Sequence, residues 1–193
     1  QPGAWRARDF RASERASAWS WASSESIPKT AMVWAEAALA GADFHDPCEM
    51  SVRIVGIAER GKGAFLNDKR LRVSGRREMA SALFATGLNL GPNGNPPLFY
   101  AQYAALTQIS AGIRRFGSAA LDLCYVAAGR YDGFWEIGLN SWDTCAGIVM
   151  VREAGGQVTD MNGGGDVLGN KGIVAGNQEL HPALVKALKA VKA

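Results

Sequence analysis

The chain has 193 residues, of which 48% are hydrophobic and 20% are charged, and this composition is typical of a globular protein of about one domain. Four arginines near the start, Arg6, Arg8, Arg11 and Arg15, outweigh the net charge of +3, so the charge does not indicate a nucleic-acid surface. No apolar run approaches the roughly 18 residues of a membrane span, and the start lacks the apolar core of a signal peptide.

Three cysteines, Cys48, Cys124 and Cys145, lie far apart and lack the spacing of metal ligands. An odd, unpatterned set is typical of a reducing compartment, so we expect a cytoplasmic protein. Because the chain begins with Gln1, we expect a fragment or a processed chain.

Residues 1–39 form an atypical N-terminal segment, rich in Arg, Ser, Ala and Trp without a clear period. Three explanations stay open: a disordered arm, an artefact of sequence determination, or coding sequence read in the wrong frame. The apolar run from Ala31 to Ala40 fits either a helix or a buried strand. Residues 40–193 are predicted to form one α/β domain. For Asp43 and Asp46, near its start, we favour a loop role over a metal role.

Alternating segments then predict strands. Ser51 to Ala58 and Ala64 to Val73 form the arms of a hairpin, with a turn at Asn67-Asp68. Ser81 to Thr86 is a further strand, which Gly87 ends.

A helix is predicted from Pro96 to about Ser110, after a loop rich in proline and glycine. A short strand from Ile113 to Phe116 follows it. One side of the helix carries an apolar stripe that we predict to be core: Phe99, Tyr103, Leu106 and Ile109.

At Gly117-Ser118-Ala119 the chain passes from strand to helix. Glycine allows a ligand to approach the backbone closely, and Ser118 is placed to cap a helix that runs to about Ala128. A plain capped junction is the alternative interpretation.

A second strand-to-helix junction follows Tyr131 to Ile137, a predicted strand. Apolar or small residues recur at helical spacing from Trp142, with Ser141 as N-cap and Gly155 as the stop. Asp143 therefore falls in the first helical turn, where unpaired N–H groups and the helix dipole favour a carboxylate or a phosphate. The alternative is that Asp143 only caps the helix and Trp142 only packs.

Two strands, Gln157 to Thr159 and Gly172 to Ala175, and a last helix over about residues 178–191 complete the prediction. His181 is predicted to be a solvated residue in the first turn of that helix. Neither it nor His45 has a partner that would suggest a catalytic base.

The residues around Asp143 carry a resemblance to a known family. Residues 142–147 read WDTCAG and residues 151–156 read VREAGG, and this pattern resembles the C-terminal signature of the inositol monophosphatase family. The resemblance extends upstream through RRFGSAALDL at residues 114–123, YVAAGR at 125–130 and EIG at 136–138. ERGKGAFLN at residues 59–67 is similar to the central hairpin of the same family.

The resemblance implies a layered α/β sandwich of the inositol monophosphatase or sugar phosphatase type, with an incomplete N-terminal part. It implies that Gly117, Ser118 and Ala119 line the substrate hydroxyls and that Glu136 hydrogen-bonds the sugar alcohol. It also implies that Asp143 binds a metal ion beside the substrate and is the catalytic candidate. Three other aspartates match no family role and are predicted to be cap or turn residues: Asp122, Asp132 and Asp160.

The activity implied by the resemblance is Mg²⁺-dependent hydrolysis of inositol monophosphate or a related small polyol phosphate. Carboxylates would hold the Mg²⁺ ions, which neutralise the phosphate and lower the pKa of a bound water. The family also implies a homodimer. From the distribution of charge and the lack of an apolar run of membrane length, we expect no nucleic-acid or membrane partner.

The sequence departs from the family in one respect. The N-terminal signature Asp-Pro-x-Asp-Gly-Thr, with its upstream pair of glutamates, supplies most metal ligands in the family and is absent here. Two hypotheses follow: a phosphatase of the inositol monophosphatase type, or a truncated or frame-shifted homologue that binds a partner or ligand without turnover.

Overall fold

The computed structural model describes residues 30–38, 51–66, 69–169 and 172–191. Two β-sheets and four α-helices make up this part of the chain. The predictions for Asp43, His45, Asp46 and the Asn67-Asp68 turn lie outside the described residues. The division of the chain at residue 39 stays a prediction.

The first sheet is antiparallel, with strands in chain order. It contains β1 (Thr30–Ala38), β2 (Ser51–Glu59), β3 (Gly63–Leu66) and β4 (Lys69–Arg70). The run from residue 31, for which helix and strand were both open, is therefore a strand that pairs with β2 along its whole length.

The second arm of the predicted hairpin is shorter than expected. The strand predicted to continue to Val73 ends at Arg70, and a short 3-10 helix at Met79–Ser81 precedes the next strand. Val73 is not part of the first sheet. Its backbone N–H instead donates a hydrogen bond to Ala154 O, 3.1 Å away, beside the end of a helix.

The second sheet is mixed and has the order β6-β5-β7-β9-β8. Its central strand, β7 (Gly133–Ile137), is parallel to β5 (Leu83–Thr86), and β5 is parallel to β6 (Gly112–Arg114). The remaining strands, β8 (Gln157–Thr159) and β9 (Gly172–Gly176), run antiparallel to their neighbours. The strands predicted for this sheet therefore exist, with ends shifted by at most two residues.

The helices arrange these sheets in layers. Between the sheets lie α2 (Ala119–Ala127) and α3 (Ser141–Glu153), which pack on each other, and α1 (Pro96–Thr107) and α4 (Leu180–Ala190) cover the outer face of the mixed sheet. This is the layered α/β sandwich that the sequence predicted. None of the helices in the described ranges is long and apolar enough to cross a membrane.

Both faces of the mixed sheet are buried, which explains why β7 carries two large apolar residues in succession rather than an apolar and a polar one. Phe134 points into the core that α2 and α3 share, and its neighbour Trp135 points into the core under α1 and α4. Both side chains have no exposed surface.

The apolar stripe predicted for α1 is only half correct. Phe99 and Leu106 are buried, but Tyr103 is 38% exposed and Ile109 lies beyond the helix end and is 42% exposed. The buried face runs through Gln102 instead, because that residue shares the helical face of Phe99 and Leu106.

His181 is also placed differently from the prediction. It is buried, and its Nε2 lies 3.1 Å from Thr159 Oγ1. Burial lowers the pKa of the imidazole. The sequence prediction of a solvated side chain is wrong because the first turn of α4 packs on β9 instead of facing solvent.

Candidate functional site

A cleft of about 500 Å³ opens where the parallel strands β5 and β7 end and where α2 and α3 begin. All five residues that the sequence singled out for a site lie along it: Gly117, Ser118, Ala119, Glu136 and Asp143. The rest of its lining comes from Gly87, Leu88, Arg115, Ala120 and Leu139. Residues from β7, α2, α3 and the loops after β5, β6 and β7 therefore meet in one place, although their individual roles stay predictions.

The junction into α2 has the geometry that the sequence suggested. Gly117 has a φ of +83°, a left-handed conformation that a residue with a side chain adopts rarely. Ser118 is the N-cap, and its Oγ accepts a hydrogen bond from Leu121 N at 3.4 Å. The backbone at Gly117 and Ser118 is therefore exposed at the cleft, and the Ser118 side chain fixes it to the start of α2.

Asp143 lies in the third position of α3, and its Oδ2 accepts a hydrogen bond from the backbone N–H of Asn140 at 3.0 Å. Asn140 is the N-cap of α3, so the prediction of Ser141 is wrong by one residue: Ser141 is already helical. Asp143 thus caps the helix and lines the cleft at the same time. Trp142 does not pack in the interior, because half of its surface is exposed.

Glu136 is a nearly buried carboxylate in the wall of the cleft, only 9% exposed. Burial raises its pKa to about 7, and the negative charges of Asp122 and Asp143 add to this rise, while Arg115 opposes it. A carboxyl group with this pKa is partly protonated near neutral pH. It can therefore accept a hydrogen bond from a hydroxyl group or donate one to it.

Gly87, at the end of β5, makes room for that carboxylate. A Cβ at this position would lie 2.2 Å from Glu136 Oε2 and 2.3 Å from Oε1. Sequence reasoning recognised Gly87 only as the end of a strand, because the contact joins residues 49 positions apart. Arg115 belongs to the segment that resembles the family, but its charge beside Glu136 appears only in the folded chain.

Asp122 is fully buried in the first turn of α2, and neither of its carboxylate oxygens has a hydrogen-bond partner among the residues that the structure describes. Burial raises its pKa to about 7. The prediction of a cap or turn role is wrong for this residue: Ser118 caps the helix, and position 122 falls on the face that points inward.

The other two aspartates hold loops outside the cleft. Asp132 is buried and accepts hydrogen bonds from Leu83 N at 2.7 Å and Arg76 Nε at 3.2 Å, so it is a tether between distant segments rather than a simple turn residue. Asp160 accepts from Asn162 N and Gly164 N at 2.7 and 2.8 Å, which is the turn role predicted for it.

The described residues do not form a complete metal site. Within the described ranges, no group of three or more His, Cys, Asp or Glu side chains is arranged to hold a metal ion. Asp143 offers one hard oxygen ligand at the cleft, and Mg²⁺ held by a single carboxylate depends on other ligands for the rest of its coordination. The donor set in this part of the chain therefore does not fit a two-metal centre by itself.

A family model and the similar curated proteins point to the same family. The model of the inositol monophosphatase family matches residues 46–193. An inositol-1-monophosphatase from Mesorhizobium japonicum is 52% identical over 134 residues, which are 68% of this chain and 49% of that protein. A protein named Nus factor SuhB from Pseudomonas aeruginosa is 48% identical over 134 residues, again 68% of this chain and 49% of that protein.

Solved structures show the same relationship. The extragenic suppressor protein SuhB from Bartonella henselae matches with a TM-score of 0.68 and 51% identity, over 70% of this chain and 53% of that one. The inositol monophosphatase from Anabaena matches with a TM-score of 0.67 and 37% identity, over 72% and 56% of the two chains. The chain spans about half the length of the relatives it matches.

Proposed function

Because the chain belongs to the inositol monophosphatase family, we propose that it provides the polyol-binding side of a Mg²⁺-dependent phosphate monoester hydrolase. The substrate is inositol monophosphate or a related small polyol phosphate. The observation that supports this most is the meeting of Gly117, Ser118, Ala119, Glu136 and Asp143 along one cleft of about 500 Å³.

The chemistry of the cleft suits a phosphorylated polyol. The carboxyl group of Glu136 is a strong hydrogen-bond partner for a sugar hydroxyl, and its burial keeps competing water away. The N-termini of α2 and α3 both face the cleft and, together with the guanidinium of Arg115, favour an anionic group. One end of the ligand is thus recognised through hydroxyls and the other through charge.

The metal is part of this proposal. When bound, Mg²⁺ would neutralise the phosphate and lower the pKa of a water, and Asp143 is the residue in the cleft that we assign to it. The remaining ligands must come from outside the described residues or from a second subunit. A homodimer, a cytoplasmic location and the absence of nucleic-acid and membrane partners stay predictions.

A second candidate function is binding of a polyol phosphate or a protein partner without turnover. It is favoured by the lack of a complete metal-ligating group within the described ranges and by relatives that carry the name Nus factor.

Phosphate release from inositol 1-phosphate with and without Mg²⁺ separates the two functions. We expect Mg²⁺-dependent release that Asp143→Asn abolishes, while the fold is retained, because an asparagine oxygen still accepts the N–H of Asn140. Asp166→Asn is the matched control, since Asp166 lies in an exposed loop outside the cleft.

The possible results are distinct. Unchanged turnover in Asp143→Asn removes Asp143 from the site. Binding of inositol 1-phosphate without release supports the second function. If the folded protein shows neither binding nor release, the proposal for the cleft is refuted.

A further inference from the structure

Arg115 is an exposed residue that lines the cleft directly after the end of β6. Within the described ranges, its guanidinium group forms neither a hydrogen bond nor an ion pair with another residue. Its charge nevertheless acts on Glu136, because it opposes the rise in the pKa of that carboxyl group. The cleft therefore presents a cation that a ligand can contact.

The strand register places Arg115 at one side of the cleft. Ala85 of β5 pairs with Arg114 of β6 on one side and with Phe134 of β7 on the other. Arg115 and Glu136 follow this row by one and two residues, so both lie where the three parallel strands end. Neighbouring strands are about 4.8 Å apart, so the chain at Arg115 and the chain at Glu136 are separated by two spacings, roughly 10 Å.

The charges of the cleft are therefore divided between two sides. Glu136 and Asp143 belong to β7 and to the helix that follows it, and we assign the metal-bound phosphate and a substrate hydroxyl to this side. A ligand group on the β6 side meets Arg115 and the N-terminus of α2, which both favour a negative charge. A guanidinium group binds a carboxylate or a phosphate through two parallel hydrogen bonds, a geometry that a single hydroxyl group does not match.

We propose that Arg115 is a specificity-determining residue that selects polyol phosphates with a second anionic group, a carboxylate or a second phosphate, at the end of the molecule away from Asp143. This inference rests on the proposed function, because that function places the first phosphate beside Asp143. It goes beyond the proposed function by stating which class of polyol phosphate the cleft prefers.

The test compares three ligands that differ at one end only, on the full chain with Mg²⁺ present. Glucitol 6-phosphate, 6-phosphogluconate and glucitol 1,6-bisphosphate share a six-carbon polyol with one phosphate, and their other end is a hydroxyl, a carboxylate and a phosphate, respectively. We expect KM, or Kd where there is no turnover, to be about tenfold lower for at least one of the two doubly anionic ligands than for glucitol 6-phosphate. The ligand with the lower constant identifies the second anion.

Two variants of Arg115 show whether this residue causes the preference. We expect Arg115→Gln to remove most of it, because the charge is lost, and Arg115→Lys to keep part of it, because the charge remains without the paired donors. Both variants are expected to keep the Tm of the wild type, since Arg115 is exposed. Arg77→Gln is the matched control, because Arg77 is an exposed arginine outside the cleft, and it is expected to keep the full preference.

The outcomes separate this inference from the proposed function. A wild-type chain that accepts inositol 1-phosphate or glucitol 6-phosphate, but prefers neither doubly anionic ligand, overturns the inference and leaves the proposed function standing. A preference that survives unchanged in Arg115→Gln also overturns it. Equal weakening of all three ligands in Arg115→Gln overturns it as well, because Arg115 would then contact the phosphate that they share. If the wild-type chain neither binds nor hydrolyses any of the four ligands, the proposed function and this inference fail together.

Discussion

Gly87→Ala tests whether the Glu136 carboxylate must lie where the structure places it. An alanine Cβ at residue 87 would be 2.2 Å from Glu136 Oε2, whereas ordinary contact begins at 3.4 Å. The carboxylate would therefore have to retreat by 1.2 Å, the difference between these two distances. That displacement is large enough to break a hydrogen bond, whose donor and acceptor lie within about 0.5 Å of their best separation.

The expected loss follows from the kind of hydrogen bond. A bond to a charged group contributes about 1.5–3 kcal/mol, so we expect the variant to bind inositol 1-phosphate roughly 10- to 150-fold more weakly. The cost in folding stability is expected to stay below about 3 kcal/mol, the usual range for one extra methyl group in a packed site. Isothermal titration calorimetry measures the affinity, and urea unfolding measures the stability.

Gly75→Ala is the matched control, because a Cβ there meets no atom within 4 Å. We expect it to bind like the wild-type chain. Equal affinity of Gly87→Ala and Gly75→Ala, in folded protein, would refute the idea that the carboxylate at this position recognises the ligand.

Two pH-dependent predictions follow from buried titratable groups. Asp122 has a pKa of about 7 in the folded chain against 3.8 ordinarily, so the folded state binds the extra proton and stability falls as pH rises from about 4 to 7. Asp122→Asn should therefore be more stable than the wild type at pH 8, by about 2 kcal/mol and at most about 4, with a smaller difference at pH 5; a difference independent of pH in urea unfolding would contradict this. For His181 the folded pKa is lowered from 6.5, so the unfolded chain takes up the proton first and stability is lost as pH falls below 6.5. His181→Gln should remove this loss, so the Tm of the variant minus that of the wild type should rise as pH falls from 7.5 to 5; parallel curves for the two proteins would show that His181 is not responsible.

The elements beside the cleft could be predicted because their signals are local. Ser118 as an N-cap and Gly155 as a helix stop depend on hydrogen bonds and backbone angles within a few residues. The residues of the cleft were recognised through a pattern of residue types, which also singled out Glu136 and Asp143. The pattern did not predict which of these side chains contact one another in the folded chain.

Errors in the prediction arose where packing decides the outcome. Asp122 and His181 were expected at caps and surfaces, as charged residues usually are, but both are buried by neighbouring layers of the sandwich. Tyr103 was expected in the core and is partly exposed because α1 presents a slightly different face to α4. Helical periodicity identifies a stripe but does not say which edge of the stripe meets the neighbouring helix.

The sequence by itself determined the order of strands and helices from residue 51 onwards and the family to which the chain belongs, because both depend on residue types at fixed spacing along the chain. Only the tertiary structure decided that Gly87 lies against Glu136 and that Gln102 and Trp135 line one small cavity. These contacts join residues 33 to 49 positions apart, and no local pattern encodes such a distance. They depend on how β5, β7 and α1 pack together in the folded chain.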